Sequence, residues 1–487
     1  MTDTPRHFEL FIDGGFTPAR SGSTRPVIDP ASGTPVAEVA EAGPEDLDRA
    51  VAAARRRFDD GSWSGMLPAD RGRYLRRIAD AIRADAERIA LWETRSGGKT
   101  IANSRNEVEA AARVFDFYSG AMDKFYGETI PMGTNVLDFT LREPVGVAAQ
   151  ITPWNFPFLA AAWKVAPALA TGCTSLLKPA SATPVTALLL AEAAMAADLP
   201  PGVLAVLPGP GAALGGHIAR HPGIDKISFT GATDTGITLL QAAAHDLKRV
   251  SLELGGKSPN IIFADADLDR AAEAAAKAVF GNAGQSCSAR TRLLIEAPVH
   301  DAFMERFLAA TARLRIGDPM DPATDIGPLV SMSHWQSVRR YVEIGQAEGA
   351  RLICGGDRPE GLATGAYFAP TVFAGVDNAM RIAQEEIFGP VAAVIPFADE
   401  AEAVRLANAS EYGLNGSVWT RDGARGLRVC RALRAGMVSL NSHGSASRYG
   451  LYAPFGGYGK SGIGRELGMQ GLELYTEVKN VFVDLDG

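Results

Sequence analysis

The sequence has 487 residues, of which 46% are hydrophobic and 21% are charged, a balance typical of an ordered globular protein. Its length exceeds what one hydrophobic core supports, so two or three domains are expected. The net charge of -8 would repel nucleic acid and anionic membranes. This balance favours a small molecule as the binding partner.

The N-terminal residues and the cysteine pattern also bear on where the protein is located and whether it binds a metal. Residues 1–15 lack a basic start followed by an apolar stretch, and the longest uncharged run, 144–163, is interrupted by three prolines. The four cysteines lie far apart without a CxxC pair, so neither a disulfide framework nor a zinc site is indicated. We therefore expect a cytoplasmic protein with no membrane span and no bound metal.

Helical spacing begins near the N-terminus. Residues 44–57 and 69–96 are rich in Ala, Arg and Glu, and their charges are assigned to solvated faces rather than to chemistry. From residue 145 onward, short apolar runs alternate with helical stretches, which is the pattern of parallel strands joined by crossover helices. The predicted fold class is therefore α/β.

The alternation divides into two series of elements. In the first, a helix at 159–171 ends at Gly172, a second helix starts from Thr183 and Pro184 and runs to about residue 198, and strands are predicted at 145–151, 173–178, 226–229 and 249–254. The second series starts near residue 255, with a helix at 268–280 and strands at 260–263, 292–296 and 390–397. Two more strands are predicted outside both series, at 135–141 and 478–485.

One cysteine lies among small residues and is a candidate nucleophile. Cys287 belongs to Gly-Asn-Ala-Gly-Gln-Ser-Cys-Ser at 281–288, where glycines let backbone amides approach a ligand closely. A lone cysteine is more often a small buried hydrophobic residue, which is our interpretation of Cys173, Cys354 and Cys430. For Cys287 the residues alone leave both interpretations open.

Two further polar residues lie at the ends of predicted strands. Glu253 lies in Leu-Glu-Leu-Gly-Gly-Lys-Ser-Pro at 252–259. A desolvated carboxyl group there would be a competent general base, whereas pairing with Lys or Arg would make it structural. Asn155 lies in Ile-Thr-Pro-Trp-Asn-Phe-Pro at 151–157. Its NH2 group could stabilise an oxyanion, although an Asn that only closes its own turn is the commoner case.

Five motifs resemble those of the aldehyde dehydrogenase superfamily and occur in that family's order. They are Pro-Trp-Asn-Phe-Pro at 153–157, Leu-Glu-Leu-Gly-Gly-Lys-Ser-Pro at 252–259, Gly-Gln-Ser-Cys at 284–287, Glu-Glu-Ile-Phe-Gly-Pro at 385–390 and Pro-Phe-Gly-Gly at 454–457. The resemblance continues to Tyr-Thr-Glu-Val-Lys at 475–479 and covers nearly the whole chain. Several long motifs in order are far more specific than one glycine pattern.

The resemblance implies a non-acylating oxidation of an aldehyde to a carboxylic acid with NAD or NADP. Cys287 would be the nucleophile, Glu253 the general base, and Asn155 with the Cys287 amide the oxyanion hole. Thioester hydrolysis by water activated at Glu253 would complete the cycle. Glu466 matches a second acid of the family near the water path, where its role varies.

The resemblance also implies the domain organisation. A Rossmann-like dinucleotide-binding domain would comprise residues 1–124 and 145–254, and a second α/β catalytic domain would comprise residues 255–465. A small β oligomerisation arm would comprise residues 125–144 and 466–487. Because exposed edge strands of this kind need a partner, we expect a homodimer or a homotetramer.

Cofactor contacts follow from the same resemblance. Lys178 and Glu386 would hold the two riboses, and Phe388 would line the nicotinamide site. The turn that contains Gly231 and Gly236 would bind the pyrophosphate at a helix N-terminus, through backbone amides because Ala232 replaces a serine common in relatives. The other expected contacts are Ile151, Thr152, Trp154, Ser181 and Leu254. Gly-Pro-Gly-Ala-Ala-Leu at 209–214 lacks the third Rossmann glycine, so we interpret it as a decoy.

Ser181 bears on the choice between NAD and NADP. Many relatives that prefer NAD carry a glutamate at this position, where its carboxylate bonds the adenosine ribose and repels a 2'-phosphate. Ser181 can donate a hydrogen bond to such a phosphate, and Lys178 places a cation in the same loop. We therefore expect NADP to be used, alone or together with NAD.

Three alternative functions fit the residues less well. A coenzyme A acylating relative would lack Glu253, and a cysteine hydrolase would leave Lys178 and Glu386 without a purpose. An inactive descendant would have lost one member of the catalytic trio.

The substrate is less clear from the sequence. Phe156, Trp163 and Phe455 predict an apolar tunnel for the aldehyde. His443 and Arg448 fall where the family builds its variable entrance loop, and they either select an anionic or polar aldehyde or are simply solvated.

Overall fold

The computed structural model describes residues 6–442 and 451–486. Helices flank two large sheets that are mostly parallel, and smaller sheets complete the chain, which confirms the predicted α/β class. The α-helices are Pro44–Asp59, Pro68–Ala84, Ala86–Gly97, Ile101–Ser119, Pro157–Thr171, Val185–Ala196, Gly211–Arg220, Thr233–Ala243, Leu268–Phe280, His300–Ala312, Met332–Ala347, Arg381–Gln384, Glu400–Asn408, Gly423–Ala432 and Gln470–Glu473.

The first large sheet has eight strands. In spatial order they are Gly462–Ile463, Arg249–Glu253, Lys226–Thr230, Val147–Ile151, Thr174–Lys178, Leu204–Val206, Leu10–Ile12 and Gly15–Thr17. The five strands between residues 147 and 253 are parallel, and their order changes direction between Val147–Ile151 and Lys226–Thr230. Open parallel sheets bind ligands at such a switch point, beyond the carboxyl ends of the strands.

The second large sheet has seven strands, six of them parallel. In spatial order they are Arg351–Cys354, Thr371–Ala374, Val391–Phe397, Arg292–Glu296, Pro259–Ile262, Asn415–Trp419 and Met437–Leu440. The strand Arg351–Cys354 pairs in the antiparallel direction. The three strands predicted for this series are all present, within one residue at each end.

The two strands predicted outside both series pair with each other. Thr476–Asp484 is antiparallel to Val136–Pro144, which also pairs with Thr129–Ile130. The remaining sheets are small and comprise Arg6–Phe8 with Pro35–Ala40 and Thr24–Ile28, and Tyr412–Gly413 with Tyr458–Gly459.

Helix Pro157–Thr171 carries part of the site. Every residue of this helix except Trp163 is buried, as expected for a helix that is apolar on all faces. It ends as predicted at Gly172, where φ is +98°, a conformation that suits glycine because it has no Cβ. Leu159, Ala160 and Trp163 are the positions at which this helix lines the smaller cavity.

Several elements differ from the prediction. Thr183 does not cap the next helix, because that helix begins at Val185 and the Thr183 hydroxyl donates to the Trp154 carbonyl. The helical stretch 69–96 breaks at Asp85 into two helices. The N-terminal strands and the helices Ile101–Ser119 and Gly211–Arg220 were not predicted.

The proposed division into domains stays a prediction. The strand Gly462–Ile463, from the range predicted as catalytic, pairs with Arg249–Glu253 in the first sheet. In the described part of the chain, no helix is long and apolar enough to cross a membrane.

Candidate active site

Two cavities meet at a wall formed by Asn155, Glu253 and Cys287. The smaller cavity has a volume of about 450 Å³, and the larger, at the switch point of the first sheet, has a volume of about 840 Å³. All three residues predicted to be catalytic line both cavities. Ligands bound in the two cavities would therefore both be in contact with the Cys287 thiol.

The loop before Cys287 has a strained backbone. Asn282 and Ala283 have φ values of +52° and +55°, which are uncommon for residues other than glycine. The Asn282 amide donates to the carbonyls of Asn155 and Gln285 at 3.3 and 3.2 Å. The Asn155 amide donates to the same Gln285 carbonyl at 3.0 Å, so these bonds hold the loop against the Asn155 segment.

Cys287 is only partly buried, and its surroundings disfavour the thiolate. Burial, with a further contribution from the nearby carboxylates of Glu386 and Glu253, raises the pKa of Cys287 to about 12. A positive charge bound in the larger cavity would offset the effect of both carboxylates on the pKa of the thiol. Formation of the Cys287 thiolate therefore depends on the ligand that occupies that cavity.

Glu253 is a buried acid, 3% exposed. Its Oε2 atom has no hydrogen-bond partner among the described residues. Burial raises the pKa of Glu253 well above its usual range, with a further contribution from Glu466, while Lys164 and Arg465 lower it. A buried carboxyl group with one free oxygen has the properties of a general acid or base.

Glu466 lies in a buried network on the side of the smaller cavity. It forms an ion pair with Lys164 and accepts a hydrogen bond from the Ser228 hydroxyl at 3.1 Å. Lys164 in turn donates to the Ser228 hydroxyl at 3.0 Å. Since Glu466 also lines the smaller cavity, its charge is close enough to act on Glu253.

The double glycine after Glu253 allows two close contacts. A Cβ atom on Gly255 would lie 2.4 Å from the Glu386 carboxylate, and one on Gly256 would lie 2.5 Å from the Cys287 carbonyl. The Gly256 N–H also donates to Glu386 Oε1 at 3.0 Å. These contacts explain why glycines are needed here.

Nine of the ten expected cofactor contacts line the larger cavity. They are Ile151, Thr152, Trp154, Lys178, Ser181, Gly231, Leu254, Glu386 and Phe388. Gly236 does not line it, and its role as a cofactor contact stays a prediction. Gly236 is needed for packing, because a Cβ atom there would lie 2.6 Å from the Leu254 side chain.

The larger cavity fits an elongated anionic ligand. The buried Lys178 ammonium donates to the Pro179 carbonyl at 3.0 Å, and no described carboxylate forms an ion pair with it. Helix Thr233–Ala243 begins at this cavity without a side-chain cap, so its first N–H groups are free for phosphate oxygens. The Thr152 hydroxyl is likewise buried without a partner among the described residues.

An aromatic group forms part of the wall of the larger cavity. Phe388 has a φ of +59°, a rare conformation for a bulky residue. Its ring lies edge-on to Trp154 with centroids 5.1 Å apart, and His334 contacts both the Trp154 ring and the Phe388 carbonyl. The strained backbone holds this ring in the wall of the larger cavity.

The glycine pattern at 209–214 is not remote from this cavity. Gly211 and Ala212 line it, as does Arg220 at the other end of helix Gly211–Arg220. Whether this turn contacts the ligand is not decided by lining the cavity, so its interpretation as a decoy stays a prediction. The Ser181 hydroxyl donates to the Gly209 carbonyl at 3.0 Å, so its hydrogen is not available for a bond to a ligand.

The smaller cavity confirms the predicted apolar tunnel. Phe156, Trp163 and Phe455 all line it, and the Trp163 and Phe455 ring centroids are 4.9 Å apart. Sequence reasoning missed Arg290 in the same wall, although Arg290 follows the recognised Gly-Gln-Ser-Cys motif closely. His443 and Arg448 lie outside the described residues.

The other cysteines differ in burial. Cys173 is buried as predicted, whereas Cys354 and Cys430 are only partly buried, so the prediction is wrong for those two. None of the three lines either of the cavities that meet at Cys287.

Comparison with known proteins identifies the family. A sequence model of the aldehyde dehydrogenase family matches residues 16–481. Betaine aldehyde dehydrogenase of Bacillus subtilis (strain 168) is 45% identical over 477 residues, which are 97% of this chain and 96% of the relative.

Solved structures agree with this match. An NAD-dependent aldehyde dehydrogenase from Sinorhizobium meliloti has a TM-score of 0.97 at 43% identity, covering 99% of this chain and 95% of the other. A betaine aldehyde dehydrogenase from Staphylococcus aureus, solved with NAD+, has a TM-score of 0.96 at 39% identity, covering 98% and 95%. The chain belongs to the aldehyde dehydrogenase family, whose members oxidise aldehydes with a nicotinamide dinucleotide.

Proposed function

We propose that Cys287, Glu253 and Asn155 together carry out the oxidation of the aldehyde. The observation that supports this most strongly is their position in the wall shared by the two cavities. An aldehyde in the smaller cavity would then lie next to the Cys287 thiol. The dinucleotide, bound in the larger cavity, supplies the hydride acceptor.

Attack on the carbonyl requires the thiolate of Cys287. The Glu253 carboxylate raises the pKa of the thiol and can itself take the thiol proton, which removes that opposing charge. The aldehyde carbon then bonds to sulfur, and its oxygen becomes an oxyanion. Asn155 uses one amide hydrogen on Gln285 and retains a second for the oxyanion, together with the Cys287 N–H.

Hydrolysis of the thioester follows loss of hydride from the thiohemiacetal carbon. Glu253 suits this step, because its Oε2 atom has no partner among the described residues and burial keeps its pKa high enough to accept a proton from water. Water attacks the acyl carbon, the carbon–sulfur bond breaks, and the acid leaves while Cys287 is regenerated.

We further propose that the enzyme uses NADP, alone or with NAD. Ser181 places no carboxylate where a 2'-phosphate would bind, and Lys178 and Arg220 line the same cavity. A homodimer or homotetramer is proposed from the exposed strand Thr476–Asp484. A cytoplasmic location is proposed because a catalytic thiol must stay reduced.

The test of the proposed nucleophile compares Cys287→Ala with Cys430→Ala. Oxidation of a simple aldehyde, monitored as the formation of reduced cofactor, should be lost in Cys287→Ala and retained in Cys430→Ala. Neither Ser286 nor Ser288 can substitute, because their hydroxyls face each other at 3.2 Å without an adjacent base. A Cys287→Ala rate within about tenfold of wild type would overturn the assignment, since a catalytic nucleophile contributes far more than this.

A further inference from the structure

Arg290 places a buried guanidinium group in the wall of the smaller cavity. It follows Cys287 closely in the chain and is 6% exposed. Its three hydrogen bonds, all of 3.0 Å, go to the Ser417 hydroxyl, the Ser288 carbonyl and the Asn415 amide oxygen. All three acceptors are neutral, and a guanidinium group has five N–H donors, so two remain.

The positive charge of Arg290 has no counterion in the described structure. No described carboxylate forms an ion pair with it, and residues 443–450 contain neither Asp nor Glu. Of the two acids in the cavity wall, Glu466 is paired with Lys164, and Glu253 has a strongly raised pKa. Burial lowers the pKa of Arg290 only to about 10, so it remains a cation at neutral pH.

A buried cation without a counterion is costly unless a ligand neutralises its charge. The rest of the cavity suits a short hydrocarbon chain, since Leu159, Trp163 and Phe455 contribute apolar surface. The Trp163 Nε1 atom is also buried without a partner among the described residues, and it is a second donor beside this cavity. The wall therefore combines an apolar surface with unused donors and one cation.

We propose that Arg290 selects aldehydes that carry a carboxylate, an inference that rests on the proposed function. The carboxylate pairs with the guanidinium group while Cys287 attacks the aldehyde carbon at the other end. The net reaction converts an oxo acid and water into a dicarboxylate, with two electrons and one proton passing to the cofactor as hydride and two protons released. An aldehyde bearing a quaternary ammonium group would meet a like charge and is disfavoured.

The experiment compares kcat/KM for 5-oxopentanoate and pentanal, which differ only in the terminal carboxylate, and includes (trimethylammonio)acetaldehyde. The variants are Arg290→Gln, Arg290→Lys and the control Arg292→Gln, which removes a buried arginine that lies outside both cavities. In wild type, 5-oxopentanoate is preferred. Arg290→Gln should lower the preference about tenfold or more, as expected for a charge-assisted hydrogen bond, whereas Arg290→Lys and Arg292→Gln should largely retain it.

A second measurement does not need turnover. Alkylation of Cys287 by iodoacetate relative to iodoacetamide, followed by mass spectrometry, should fall about tenfold or more in Arg290→Gln, because only iodoacetate carries the anion. A wild-type preference for pentanal or the ammonium aldehyde, or an unchanged ratio in Arg290→Gln, would overturn the role of Arg290. If no aldehyde is oxidised, the proposed function fails, and the alkylation ratio still decides whether Arg290 binds anions.

Discussion

The side-chain amide of Asn155 donates a hydrogen bond to the backbone carbonyl of Gln285 at 3.0 Å. This bond ties the proposed oxyanion donor to the loop that carries Cys287, across the wall between the two cavities. The strained Asn282 reinforces it by donating to the carbonyls of both residues. Donor and nucleophile are thus positioned by the same network, which keeps their relative geometry fixed before substrate binds.

Asn155→Ala should lower kcat by about 10²- to 10³-fold, because one oxyanion donor is lost. Asn282→Ala is the matched control, since it removes the support of the loop and leaves the donor in place, and it should have a smaller effect. Single-turnover rates of cofactor reduction measure both variants. A loss in Asn155→Ala no greater than in Asn282→Ala would mean that the residue only holds the loop.

Glu253→Gln should separate the two halves of the reaction. Because the neutral Gln no longer raises the pKa of the thiol while hydrolysis loses its base, mixing with aldehyde and cofactor should give a burst of reduced cofactor, followed by slow turnover. Mass spectrometry of the quenched enzyme should then show an acyl group on Cys287. Loss of the burst together with the acyl-enzyme would show that Glu253 is needed earlier, to take the thiol proton.

The pH dependence of hydrolysis should respond to Glu466 and Lys164 in opposite directions. Glu253 acts as a base when ionised, so turnover rises with pH through its raised pKa. Because Glu466 raises that pKa and Lys164 lowers it, Glu466→Gln should move the rise to lower pH and Lys164→Met should move it to higher pH. Thermal unfolding must accompany the profiles, since breaking a buried ion pair is destabilising by roughly 3–5 kcal/mol. Shifts in the same direction would contradict this electrostatic coupling.

Much of the catalytic wall could be predicted from the sequence because each of its residues ends a strand or begins a turn. Glu253 closes the strand Arg249–Glu253, and Asn155 follows the strand Val147–Ile151 at the switch point. The resemblance then assigned chemistry to positions whose residue types alone were ambiguous. The local sequence pattern was sufficient to predict the positions of site residues where strand ends and glycines fix the backbone.

Long-range contacts limited the remaining predictions. Gly236 lies in the expected turn, but it packs against Leu254, the residue that follows the neighbouring strand Arg249–Glu253. Arg290 is held in the cavity wall by hydrogen bonds to Asn415 and Ser417, which lie more than a hundred residues away in the sequence. The helix Ile101–Ser119 was missed because a buried helix with apolar residues on several faces has weak periodicity.

Phe482→Glu should dissociate the proposed oligomer. Phe482 is 56% exposed on the edge strand Thr476–Asp484, and Val478 in the same strand and Leu485 just after it are similarly exposed. An exposed apolar edge strand favours pairing with a second copy, and a charge on it opposes that. Light scattering should give a dimer or tetramer for wild type and for the control Leu67→Glu, which changes an exposed leucine elsewhere. A monomeric wild type at micromolar concentration would refute the oligomer.

The choice of cofactor should depend on charge at Ser181 and not on its hydroxyl hydrogen, which already bonds the Gly209 carbonyl. Lys178, Arg220 and the start of helix Gly211–Arg220 are the groups left to meet a 2'-phosphate in the cavity. Ser181→Ala should therefore keep NADP activity, whereas Ser181→Glu should lower kcat/KM for NADP about tenfold or more through repulsion, with NAD much less affected. Arg220→Gln tests the cation separately and should also lower NADP use selectively. The measurement is kcat/KM for both cofactors at one ionic strength, with a constant aldehyde. A strong preference for NAD in wild type, or full NADP activity in Ser181→Glu, would show that this loop does not determine the choice.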